Sequence, residues 1–194
     1  MAQIAGNVHS SHNWKFEINY PNRFLQLWIA QALVLPSQST KTLSKNKKVS
    51  TFIPQNPDYQ AVTREKITQN HFMHHVGFKI NKIEPGMVEG TLEIEHHHRQ
   101  QIGFLHGGVT ATLADIVAGF ASFTLVKPNQ GLVTIEMKVS YLNPGVGNTA
   151  FCRGYVIKAG QKIHFAEAEI FVNNNGTETL IAKACATYAV LDLG

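Results

Sequence analysis

Three glycines, a histidine and one carboxylate mark where this chain could do chemistry. They lie in the stretch Gly103 to Val126, which reads GFLHGGVTATLADIVAGFASFTLV. Gly103, Gly107 and Gly108 make a loop around His106, and the residues beyond hold no proline and no glycine except Gly119, so the loop feeds a helix. From Val109 to Val126 the sole ionisable side chain is Asp115, set among Leu113, Ala114, Ile116, Val117, Ala118 and Phe120. A helix apolar nearly all round belongs at the centre of a core, since a surface helix carries a polar face. A carboxylate in that setting is costly unless paired or used. Asp115 is therefore either a satisfied core residue near a helix end or a group with a chemical task, and taken alone it supports the two equally.

Other chemistries fit the residues less well. His71 and His75 are spaced for two ligands of one metal, but no third ligand follows in a recognisable pattern, and a helix C-terminus that favours imidazolium explains them better. His96, His97 and His98 would alternate faces at a strand end and read as a surface run. No metal site is expected. The glycine-rich loop lacks the Gly-Lys-Ser/Thr of a nucleotide-binding loop. G-x-S-x-G is absent and Ser122 has no neighbouring base, which argues against a serine hydrolase.

The elements that must hold the loop and helix follow from composition and period. Residues 1–50 carry six Lys or Arg against one acid, so the net charge of +4 belongs to an N-terminal extension. A nucleic-acid binder would place its basic stripe on the folded domain, and no such partner is expected. Within the extension, Phe24 to Leu35 is an apolar patch too short to span a bilayer, and Ser37 to Ser50 reads as a solvated linker. No stable membrane insertion is expected. The division is 1–56, extension and linker, and 57–194, the domain proper. Cys152 and Cys185 sit singly in strand-like runs and read as small buried hydrophobes of a reducing compartment, so the expected location is cytoplasmic.

In the domain, Asp58 caps a helix that continues through Phe72 to Gly77. Phe78–Glu84 and Met87–Glu95 form a hairpin through Pro85-Gly86. Beyond the central helix come four strands. In the first, Val133, Ile135, Met137 and Val139 alternate with polar residues. One face of the third offers His164, Ala166, Ala168, Ile170 and Val172, and one face of the last offers Leu180, Ala182, Ala184 and Ala186. Repeated alanines leave room for a bulky element close over the sheet, and the central helix is available to fill it. The architecture expected is α+β, a curved antiparallel sheet wrapped around one long central helix.

Gln100-x-x-Gly103-x-x-His106-Gly107-Gly108, with Asp115 nine residues after the histidine, resembles the hotdog-fold acyl-CoA thioesterases of the phenylacetate-pathway and hydroxybenzoyl-CoA type. The resemblance covers roughly Pro57 to Leu191. It implies a hotdog fold and hydrolysis of an acyl-CoA, with Gln100 and Asp115 acting in that reaction and Thr134 near the reacting carbonyl. Tyr141, Asn143, Pro144 and Gly145, and likewise Lys158, Gly160, Gln161 and Lys162, are similar to the segments that contact coenzyme A in that family. Coenzyme A is then part of the substrate, and no cofactor is implied. Gly119 departs from members that carry Thr there.

Thioester hydrolysis needs an oxyanion donor and either a base for water or a carboxylate nucleophile. Gly107, at the helix start, can offer a backbone N–H to the carbonyl oxygen, and Gln100 can place the carbonyl or the water. His106 fits loop orientation better than base catalysis. Gly107 and Asp115 are separated by about 12 Å along one helix at ~1.5 Å per residue, so two helices across a two-fold axis are expected to build two shared sites in a homodimer, or in a dimer of such dimers. Phe72, Met73, Val76, Phe120 and Phe123 are candidates for lining an acyl pocket. A hotdog hydratase or dehydratase, and a non-catalytic acyl-CoA-binding module, are the alternatives.

Overall fold

The computed structural model describes residues 52–194, which belong to the second of the chain's two units, Asn46–Gly194. The Phe24–Leu35 patch and the Ser37–Ser50 tract lie outside the described residues. In place of the single helix expected before Gly77 there are two, α1 (Tyr59–Thr68) and α2 (His71–Val76). The break falls at Asn70, whose side chain accepts a bond from the Met73 N–H and starts a new helix. An Asn side chain competes with the i−4 carbonyl for backbone donors, and here it wins. Gly77, at φ 79°, ends α2 in the left-handed conformation expected of it. Asp58 stands at the first N-cap but makes no capping bond.

Six strands follow: β1 (Lys79–Glu84), β2 (Met87–Glu93), β3 (Gln130–Tyr141), β4 (Thr149–Ala159), β5 (Ile163–Asn174) and β6 (Thr177–Asp192). They form one sheet in the order β1-β2-β4-β5-β6-β3, and every pairing is antiparallel. Between β2 and β3 runs α3 (Gly107–Phe123), which packs on β2, β3, β4, β5 and β6. The alanines do leave room for it: Ala166, Ala168, Ala182, Ala184 and Ala186 are buried beneath the helix together with Ile170 and Val172. The approach is close at Gly154 of β4, where a Cβ would collide with the backbone of Val117 and Ala118. This is the hotdog arrangement. Among the described residues no helix is long and apolar enough to cross a membrane.

Two irregularities move side chains from the faces that strict alternation assigns. A bulge between Thr134 and Glu136 leaves Val133 and Ile135 exposed (48% and 56%), while Met137 and Val139 stay on the core side. A second, at Ile170/Phe171 against β6, buries Ile181 in place of Leu180. The histidine run is a 3-10 turn, His96–His98, and His98 is buried rather than on the surface. Both cysteines are free. Cys152 is buried, and burial pushes its thiol up, but Cys185 is exposed, contrary to expectation.

Candidate active site

The loop before α3 is held almost wholly through its backbone. Gln100 closes it at both ends, its N–H donating to the Phe104 carbonyl and its carbonyl accepting from the Gly103 N–H, each at 2.8 Å. Gly103 takes the positive φ (85°) that this turn requires. Arg99 clamps the outside, donating to the carbonyls of Gly103, Ile94 and Gly147. His98 fixes the near side: its Nδ1 accepts from the Glu95 N–H, its Nε2 bonds to the Val76 carbonyl, and its own carbonyl accepts from the His106 N–H.

At the head of α3, His106 is the N-cap residue, and its Nδ1 accepts from the Gly108 N–H at 2.9 Å. This bond caps the first turn of the helix and ties the imidazole to the loop. The Tyr141 hydroxyl donates to the Gly107 carbonyl at 2.9 Å, and the Gly145 carbonyl accepts from the Leu105 N–H. Among the described residues the Gly107 N–H has no acceptor, and the same is true of the Gln100 side-chain amide. The loop therefore presents a backbone donor and an amide with nothing to bind among the described residues, at the positive end of a helix dipole.

Asp115 sits two turns further along. α3 buries Thr110, Leu113, Ala114, Ile116, Val117, Ala118, Ala121 and Ser122, but Ala111, Thr112, Asp115 and Gly119 are half-exposed, so the helix is not sealed all round. Along that open stripe the Thr134 hydroxyl donates to Asp115 Oδ1 at 2.9 Å. The bulge in β3 follows Thr134, which is exposed and pairs across the sheet with Tyr188 of β6. Tyr188, which sequence reasoning missed, brings its hydroxyl to 3.4 Å from the same Oδ1 and 3.3 Å from the Asp115 carbonyl.

The two segments expected to touch coenzyme A lie at opposite ends of the sheet. Tyr141, Asn143, Pro144 and Gly145 adjoin the Gly107 end, with the Asn143 amide donating to the Leu180 carbonyl. Lys158, Gly160, Gln161 and Lys162 belong to the β4–β5 turn, and the register Thr134–Tyr188–His164–Ala159 sets that turn level with Asp115. Tyr141 is seven residues beyond Thr134 on β3, roughly 20 Å at ~3.3 Å per residue. Lys158, Gln161 and Lys162 are exposed.

The acyl-pocket candidates do not gather. Phe72 is 61% exposed, Met73 is in the core, and Phe123 lines a separate cleft of about 300 Å³ beside Tyr59, Val62, Val126 and Leu193. Neither Gly107 nor Asp115 borders that cleft.

Known proteins resemble this chain in sequence and in fold. Residues 102–179 match the family model described as the thioesterase superfamily. The chain is 32% identical over 100 residues to acyl-coenzyme A thioesterase 13 of Homo sapiens, across 51% of this chain and 69% of that protein. It is 26% identical over 77 residues to the proofreading thioesterase EntH of Klebsiella pneumoniae, across 40% of this chain and 56% of that one. Among solved structures, a thioesterase family protein from Silicibacter pomeroyi superposes with a TM-score of 0.68 at 32% identity, over 70% of this chain and 99% of that chain.

Proposed function

We propose that this chain, which belongs to the thioesterase superfamily and is a thioester hydrolase, hydrolyses acyl-CoA at sites completed across a two-fold dimer. The observation that carries the reading is the separation within α3 of a backbone N–H that has no acceptor among the described residues, at Gly107, from a carboxylate held by a hydroxyl, at Asp115. Two such helices side by side and antiparallel bring one protomer's Gly107 to the other's Asp115. The half-exposed stripe of Ala111, Thr112, Asp115 and Gly119 allows close approach, and β3, with Val133 and Ile135 exposed, is a free sheet edge suited to a second copy. The same symmetry unites the Tyr141–Gly145 segment of one protomer with the Lys158–Lys162 turn of the other, so coenzyme A would meet both.

In that site the Gly107 N–H receives the negative charge that develops on the thioester oxygen, and Gln100 positions the carbonyl or the water. Asp115 then acts in one of two balanced ways. It takes a proton from a water whose oxygen attacks the carbonyl carbon, or it attacks that carbon itself and water later cleaves the anhydride. Either route breaks the C–S bond, gives the free acid, and releases the thiolate to take up a proton. Free-thiol release over a panel of straight-chain and aromatic acyl-CoAs tests the reading. At least one member should turn over with the wild type and not with Asp115→Asn. No turnover of any member, or equal turnover by the variant, overturns it.

A further inference from the structure

Tyr188 of β6 is 2% exposed, and a buried phenol needs a partner for its hydroxyl. Its hydrogen-bond acceptors among the described residues both belong to Asp115, the carbonyl at 3.3 Å and Oδ1 at 3.4 Å. These separations exceed the ~2.7–2.8 Å usual for such bonds, so each contact is a long one and the single hydroxyl proton has two acceptors within reach, both on Asp115. Thr134 already donates to Oδ1, and Thr134 and Tyr188 are direct cross-strand partners on β3 and β6. Neighbouring hydroxyls on one face of the sheet thus converge on one oxygen of the carboxylate.

The helix makes room for this. Gly119 lies one turn beyond Asp115, and the three nearest atoms that a Cβ there would meet all belong to Tyr188: Cε1 at 3.6 Å, the hydroxyl oxygen at 3.8 Å and Cζ at 3.9 Å. A longer side chain at 119 would compete with the ring for that space. Burial and the adjacent Asp115 carboxylate push the phenol well above its ordinary value, which keeps it a neutral donor.

We infer that Tyr188 is a positioning residue for Asp115: with Thr134 it holds Oδ1, and so presents Oδ2 as the oxygen that attacks or takes the proton. The inference rests on Asp115 being the acting carboxylate. Tyr188 touches no substrate and works through the orientation of its neighbour.

The test is Tyr188→Phe, which removes one oxygen and keeps the ring over Gly119. kcat should fall about tenfold, the lower end for a hydrogen bond to a charged group, with KM unchanged and only a small shift in Tm. In the Asp115→Asn background the same change should lower the residual kcat no further, because residues that act through one group are not additive. If the hydroxyl serves only the helix carbonyl, Tm falls while kcat stays, and the assignment is overturned. A full further loss of kcat in the Asp115→Asn background overturns it as well. An inactive Asp115→Asn beside a fully active Tyr188→Phe refutes Tyr188 alone, whereas wild-type turnover by Asp115→Asn refutes the functional reading beneath it.

Discussion

The head of α3 and its middle are built in opposite ways. At the head, a backbone N–H is on offer beside the Gln100 amide, and its supports are bonds to backbone atoms: Arg99 to three carbonyls, His98 to the Glu95 N–H and the Val76 carbonyl, Tyr141 to the Gly107 carbonyl. In the middle, the group on offer is a side chain, Asp115, held by hydroxyls from β3 and β6. A backbone donor cannot be deleted by trimming a side chain, so short of a proline that replaces the N–H itself, this donor is vulnerable through its scaffold and through stability. The middle is vulnerable through single atoms, at little cost to the fold.

The largest expected effect follows from this contrast. Asp115→Asn is nearly isosteric and should lower kcat about a thousandfold, within the range for a lost acid–base group, while the melting temperature barely moves. Thiol release and a thermal melt on the same preparation check the pair of outcomes. At the head, Arg99→Met strips three carbonyls of their donor. It should cost roughly tenfold in kcat together with a Tm drop of several degrees, taking about 1 kcal/mol per lost bond and ~3 °C per kcal/mol. Loss of activity without loss of Tm would erase the distinction between the two regions.

Lys158→Gln with Lys162→Gln probes the exposed turn. KM should rise several-fold with kcat little changed, and its dependence on ionic strength should weaken, since the contact with phosphate is the same in ground and transition states. An unchanged KM moves the phosphate contact elsewhere. His106→Ala should lower stability by ~1 kcal/mol, the usual cost of a lost N-cap, and reduce kcat only a few-fold; a collapse of kcat would make His106 more than a cap.

The smallest effect concerns His164, buried on β5 under α3. Burial pulls its imidazole below the ordinary 6.5, with the nearby backbone at Ser122 and Gly160 acting weakly in the opposite sense. The unfolded chain therefore takes up this proton first as pH falls. The stability that His164 contributes is present above about pH 6.5 and is lost as pH drops toward its folded value. Between pH 7 and 5 the Tm of the wild type should fall more steeply than that of His164→Leu, and equal slopes would contradict the burial argument.

What could be read from sequence was what local pattern determines. The run from Gly103 to Val126 announced a loop, a helix and a solitary carboxylate, and the alanines of β5 and β6 announced a helix packed on them. The errors arose where one residue breaks a period. Asn70 captures the Met73 N–H and splits a helix. Bulges at Thr134/Glu136 and Ile170/Phe171 exchange faces, exposing Val133 and Ile135 and burying Ile181. Tyr188 was invisible for another reason. It lies 73 residues from Asp115, inside an ordinary strand, and nothing but the register of β6 against β3 brings it to the carboxylate. Arg99 and His98 are similar cases: their partners are carbonyls and N–H groups, which carry no mark in a sequence.

The central claim, that the two regions work together only across two chains, is tested by complementation. Gly107 is the first residue of α3 after the His106 N-cap, a position where proline is accepted and brings no N–H, so Gly107→Pro deletes the proposed oxyanion donor with little harm to the helix. Gly107→Pro and Asp115→Asn should each be nearly inactive as homodimers. Co-refolded, their heterodimers should carry one site with both lesions and one with neither, and should recover about half of wild-type activity per heterodimer by two-fold symmetry. Recovery near that level supports the shared site; no recovery, with heterodimers confirmed by native mass spectrometry, would contradict it.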